Sequence, residues 1–159
     1  LTRRFPNVII SRTFSKSYSL CSQRIGYFIA HSKLIAALDK IRDSYNTNQL
    51  GQIAALATLK DLKYYQRQFN RIIKARSQTS KTLTAIGFDV IPSQTNFIFA
   101  KPNGLSAKDL FTRLRKQNII TRWFDTKDCH NWLRITIGTE SEMEKFISST
   151  RAIIKKYSQ

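Results

Sequence analysis

The feature that most constrains this chain is a helical pattern, rich in Ala, Leu, Lys and Gln, running from about Gln49 to Ala85. At roughly 1.5 Å per residue, one helix of that length would span more than about 45 Å. It is too long for a single small core, so the segment is expected to kink or to bridge two domains. Gly87 marks its end, because glycine readily takes the left-handed conformation that closes helices. A boundary is expected within the helix, around residues 60–75, dividing the chain into 1–65 and 66–159.

Before the helix, Asn7 to Ile10 and Arg24 to Ala30 read as buried strands, separated by the hydroxyl-rich stretch Ser11 to Ser19. Ser32 is placed to cap a helix carrying Leu34, Ile35, Leu38 and Ile41, and Asp43 to Thr47 is a polar break. After the long helix, Phe88 to Ile91 and Asn96 to Ala100 form a hairpin-like pair around Pro92-Ser93-Gln94. Ser106 caps a helix over Ala107 to Gln117, and Ile119 to Phe124 and Leu133 to Ile137 read as strands. Glu140 to Lys156 is a closing amphipathic helix. Strands interleaved with two helices predict a small α+β layer domain.

Among 159 residues, 42% hydrophobic and 11% aromatic content predicts a packed protein and excludes a disordered one. No apolar run approaches the roughly 20 residues of a membrane span. Leu1-Thr2-Arg3-Arg4-Phe5-Pro6 has no apolar core of a signal peptide behind its arginines. Cys21 and Cys129 make neither a disulfide framework nor a metal pattern, and His31 and His130 have no partner at metal spacing. Two reduced thiols fit a cytoplasmic protein. The balance of 27 Lys+Arg against 10 Asp+Glu, net +17, is what nucleic-acid partners select. Yet the charge forms no arginine-rich run, zinc finger or RNP-like strand. Lys60, Lys63, Arg67, Arg71, Lys74, Arg76 and Lys81, answered by Asp61 alone, read as one solvated helix face. A basic nucleic-acid-binding module is the alternative from a different class; no specific nucleic acid and no membrane partner is expected.

The chemistry concentrates in the segment from Ser11 to Tyr27. Lys16 sits in a loop after a strand, flanked by hydroxyls, with Arg24 eight residues on. A lysine that bonds covalently to an aldehyde must be deprotonated, which partial burial and a nearby cation favour. A phosphate needs a fixed cation and short donors; Arg24 offers a planar fork, and Thr13 and Ser15 offer hydroxyls. By spacing alone, an ordinary surface lysine in a serine-rich loop is the better fit. Arg134 likewise lies in an alternating strand, where an inward-facing arginine needs an anion and an edge-strand arginine does not.

Ser15-Lys16 followed by Arg24-Ile25-Gly26-Tyr27 resembles the pyridoxal-phosphate lysine motif of type I fold aminotransferases. Further blocks are similar to the histidinol-phosphate aminotransferases: Ser44 to Gln52, Ser93-Gln94-Thr95-Asn96-Phe97, Arg122-Trp123-Phe124, and Leu133 to Thr139. Cys21-Ser22 replaces the family's small Ala-Gly pair, Gln23 its usual aliphatic residue, and Ser44 a common proline. The resemblance implies an α/β, pyridoxal-phosphate-dependent transferase of the type I fold. The chain would hold the end of the large domain plus a small α+β C-terminal domain. It implies Lys16 as catalytic and cofactor-binding, with Ser15, Thr13 and Arg24 on the cofactor phosphate, and Arg134 and Arg122 on the substrate. The implied reaction exchanges an amino group between L-histidinol phosphate and 2-oxoglutarate/glutamate in histidine biosynthesis, in a cytoplasmic homodimer. Phosphothreonine decarboxylases and aromatic aminotransferases share the Lys16 and Arg134 motifs and are the related alternatives. No motif for the family's cofactor-ring aspartate or stacking aromatic precedes residue 11. The chain is therefore expected to be a fragment, inactive alone, and a missing acidic half would account for part of the +17.

Overall fold

The computed structural model describes residues 1–157, which fall into two compact units, Leu1–Phe69 and the described residues from Asn70 onward. In the first unit, β1 (Ile10–Thr13) pairs antiparallel with β2 (Gly26–Ile29), Ile10 opposite Ile29 and Thr13 opposite Gly26. A single 3-10 turn, Cys21–Gln23, lies between them. Helices α1 (Ser32–Ile41) and α2 (Gln49–Lys60) follow. A Cβ at Gly26 would lie 2.6 Å from the Arg12 carbonyl oxygen, so the ladder closes only over glycine.

Helix α3 (Leu62–Ala85) carries the second half of the long helical pattern, and the break falls at Asp61. There the backbone leaves helical geometry, with φ −111° and ψ 48°, while the Asp61 carboxylate accepts a hydrogen bond from the Tyr64 amide at 3.3 Å. An aspartate capping the next helix thus makes the kink without proline or glycine. Gly87, at φ 91°, ends the run as expected.

The second unit holds a four-stranded antiparallel sheet in the order β3-β4-β6-β5. These strands are β3 (Phe88–Ile91), β4 (Phe97–Pro102), β5 (Arg122–Trp123) and β6 (Leu133–Thr136). Helices α4 (Ala107–Lys116) and α5 (Glu140–Tyr157) complete it. Strand periodicity sorts the faces. Ile98 opposite Ile135 and Ala100 opposite Leu133 are buried, joined by Leu83 of α3, Leu110 and Leu114 of α4, and Phe146 and Ile153 of α5. Each fully buried Leu or Phe there contributes about 1.5–3 kcal/mol. Phe97, Phe99, Arg134 and Thr136 occupy the opposite face.

Four expectations need correction. The two early strands are not buried: β1 and β2 are almost wholly exposed, and Phe28 is 58% accessible, because the described residues leave most of the hairpin uncovered. Their extent follows the ladder partner, so β1 begins at Ile10, where the expected strand ended. His31, not Ser32, caps α1, its Nδ1 accepting from the Lys33 amide. Finally, the strand expected over Ile119 to Phe124 shrinks to Arg122–Trp123. Asn118, at φ 58°, closes α4 and the Ile119 amide returns to the Leu114 carbonyl, using those residues as a helix cap.

Candidate functional site

In the first unit, the turn after β1 is held from below. Phe14 is buried with Ile25 and Ala55, and its ring lies 5.1 Å from Tyr18 and 5.5 Å from Tyr27. Tyr18 in turn meets Tyr65 and Phe69 of α3, at 5.1 and 5.7 Å between ring centres. Two aromatic anchors therefore flank Lys16, which is exposed at the crest. The Leu20 amide donates to the Phe14 carbonyl and the Ser19 amide to the Lys16 carbonyl, closing the loop. The partial burial expected for Lys16 is not supplied by this chain's described residues.

Thr13 and Ser15 lie together, the Ser15 amide donating to Thr13 Oγ1 at 3.0 Å. The ladder returns Gly26 to Thr13, so Arg24, two residues earlier, arrives at the same end of the hairpin. Arg24 adopts the left-handed conformation, φ 52°, and its Nη1 donates to the Cys21 carbonyl at 2.6 Å. A guanidinium carries five N–H donors, so most of Arg24's capacity is not used by that bond. The turn and this end of the hairpin thus carry a primary amine, two hydroxyls and a guanidinium, groups that can bond an aldehyde and hydrogen-bond an anion respectively.

The second unit brings Arg122 and Arg134 together. They are directly opposite across β5 and β6, two like charges in register. Both guanidiniums lie against Phe124, at 5.2 Å from Arg122 and 5.6 Å from Arg134, and Arg134 also covers Phe97 at 5.6 Å. Arg134 is exposed on the open face of the sheet, where opposed cations favour an anion bridging them. Phe97 thus serves as a platform for Arg134, whereas Phe99 stacks on Trp132 with rings 5.3 Å apart. Trp123 packs on the core and donates from Nε1 to the His130 carbonyl at 2.7 Å.

Sequence reasoning missed the part played by two residues, Phe124 and Asn48. Phe124 packs against both arginines, which sequence spacing could only place on neighbouring strands. Asn48 caps α2 and also donates from Nδ2 to the Gln23 carbonyl at 3.0 Å. Its cap role was legible as an asparagine before a helical pattern; the 25-residue reach was not. Of the cations read as one helix face, Lys60, Lys63, Arg67, Arg71, Lys74 and Lys81 are exposed, and Arg76 is half-buried, donating to the Thr95 carbonyl at 2.7 Å. Among the described residues no cluster of three His, Cys, Asp or Glu side chains could hold a metal, and no helix is long and apolar enough to cross a membrane.

Compared with known proteins, residues 2–149 match the profile of the family "Aminotransferase class I and II". A histidinol-phosphate aminotransferase of Syntrophotalea carbinolica is 44% identical over 149 residues, covering 94% of this chain and 43% of that protein. The solved histidinol-phosphate aminotransferase of Sinorhizobium meliloti, in complex with pyridoxal-5'-phosphate, superposes with TM-score 0.82 at 29% identity. That match covers 95% of this chain and 42% of the other. L-threonine-O-3-phosphate decarboxylase from Porphyromonas gingivalis shares the fold, with TM-score 0.78 at 22% identity over 97% of this chain and 49% of its own. The chain spans less than half the length of the relatives it matches.

Proposed function

Since the chain belongs to the class I and II aminotransferases, we propose that it supplies the C-terminal part of a pyridoxal-phosphate enzyme exchanging an amino group between L-histidinol phosphate and 2-oxoglutarate. The observation that carries this reading is the 44% identity to a histidinol-phosphate aminotransferase, extending over 94% of the chain. Residues 1–65 would end the large domain and begin the bridging helix, and 66–159 would form the small domain. The working form is proposed to be a cytoplasmic homodimer.

The residues of the Lys16 turn fit the cofactor. Lys16 would hold its carbonyl carbon covalently, and Thr13, Ser15 and Arg24 would hold its phosphate through two hydroxyls and a planar cation. Pyridoxal phosphate, when bound, supplies the electron sink for charge developing at the substrate Cα. Lys16, displaced by the incoming amine, would then move the Cα proton as general base and general acid. Arg134 and Arg122 would take the anionic end of the substrate, their paired positive charge matched to a phosphate ester or carboxylate.

The test uses the complete enzyme that carries this chain. Borohydride reduction of the loaded protein, followed by peptide mapping, should find the cofactor on Lys16. An amino-donor panel should rank L-histidinol phosphate above aromatic amino acids and above phosphothreonine. Label on any other lysine would refute the site, and preferred turnover of phosphothreonine with loss of carbon dioxide would refute the substrate.

A further inference from the structure

We propose that Asn48 is a positioning residue for the phosphate-holding arginine, acting through the peptide plane that joins Gln23 to Arg24. The inference rests on the reading of Arg24 given above. Arg24 stands at φ 52° and ψ 44°, a left-handed conformation that disfavours any residue with a Cβ. Such a conformation persists where neighbours hold it. Three contacts do so: the Gln23 amide donates to the Leu20 carbonyl at 3.1 Å, Arg24 Nη1 donates to the Cys21 carbonyl at 2.6 Å, and Asn48 Nδ2 donates to the Gln23 carbonyl at 3.0 Å. The first two are local to the turn; Asn48 alone ties it to a distant element. Because the Gln23 carbonyl and the Arg24 amide share one rigid plane that ends at the Arg24 Cα, holding that oxygen restrains the Cα from which, at φ 52°, the Arg24 side chain departs.

The other end of the same amide is also committed. Asn48 Oδ1 accepts from the Gly51 amide at 2.6 Å, capping α2. With donor and acceptor both used, the side chain has one orientation and links the helix N-terminus to the turn. Gly51 leaves room for it: a Cβ there would lie 3.2 Å from both Asn48 Nδ2 and Oδ1. Capping α2 needs only the acceptor, which serine or aspartate provides equally well. The donor toward Gln23 is a separate feature, and it separates a positioning role from a purely structural one.

Asn48→Ser in the complete enzyme keeps a neutral cap but cannot reach Gln23. Affinities for pyridoxal phosphate and for pyridoxal, which lacks the phosphate, are read from the absorbance change on titration. Loss of one hydrogen bond acting on the phosphate holder should weaken pyridoxal phosphate about three- to tenfold and leave pyridoxal unchanged. The substitution should add nothing in an Arg24→Ala background. Asn48→Asp, an equal cap without the donor, should lower the same ratio and serves if the serine variant does not fold. Unchanged pyridoxal-phosphate affinity, or equal weakening of both compounds, overturns the inference. If Arg24→Ala itself leaves the ratio of the two affinities intact, the reading of Arg24 fails, and the inference with it.

Discussion

Arg134→Ala should separate binding from stability. In the fold, Arg134 gains from two aromatic faces, Phe97 and Phe124, each 5.6 Å from its guanidinium carbon. Cation–π contacts at exposed sites contribute about 0.5–1 kcal/mol each. Against this stands Arg122, directly opposite on β5, where a like-charge pair costs about 0.2–1 kcal/mol. Truncation should therefore destabilise the protein by only about 1 kcal/mol. If Arg134 grips the substrate anion, the loss to catalysis is larger, on the order of 2–4 kcal/mol. That predicts a 30- to 1000-fold fall in kcat/KM, roughly, for L-histidinol phosphate. Lysine should restore only part of it, since a point charge cannot reproduce the fork. Cofactor affinity should not change. Steady-state kinetics on the complete enzyme, paired with denaturant titration, measure both quantities. Near-normal kcat/KM with both phosphate- and carboxylate-bearing substrates would show Arg134 to be a strand residue only, and the reasoning from paired arginines would fall.

Two further outcomes test the second unit. Leu110→Ala removes a fully buried side chain from the α4 face of the core and should cost about 2–5 kcal/mol in denaturant titration; a cost under about 1 kcal/mol would show that the core is wrongly drawn. The Glu142 carboxylate is held below its ordinary pKa by hydrogen bonds from the Thr139 amide and hydroxyl, at 2.7 and 2.8 Å. A lowered folded-state pKa stabilises above the ordinary glutamate range, and that contribution disappears as pH falls through the lowered value. Glu142→Gln should accordingly melt below the parent at pH 7, and the gap should close in strong acid; a gap of equal size at both would contradict the assignment.

How much the sequence disclosed depended on whether the deciding interaction was local. The α4 cap at Ser106, the end of α3 at Gly87 and the β3–β4 pair were legible, because each is set by residues within a few positions. The break at Asp61 was legible only as a necessity of length. No proline or glycine marks it, and the aspartate works through a hydrogen bond to Tyr64 that competes with continuing the helix. The early strands were misjudged as buried because apolar, β-branched runs look alike whether covered or open. In the site, residue types disclosed Lys16 and the arginines as candidates. The left-handed Arg24, the aromatic floor beneath Lys16 and the Asn48 tether depend on contacts across the sequence and needed coordinates.

Most of the positive charge is not neutralised within the chain. Only two ion pairs, Arg42–Asp39 and Lys101–Asp89, occur among the described residues, and both are exposed. Exposed pairs of this kind contribute little to stability, so folding does not require the 27 cations to be matched by acids within the chain. Where cations are forced together, at Arg122 and Arg134, aromatic faces offset the repulsion without neutralising it. An anion arriving between them gains from both guanidiniums and also removes their mutual repulsion. The sheet thus holds the two charges at some cost in the free protein, and relief of that cost would add to the affinity proposed for a phosphate or carboxylate. A carboxylate built into the chain at that point would stabilise the fold and compete with an external anion, so an unmatched pair suits the anion-binding role proposed for Arg134 and Arg122.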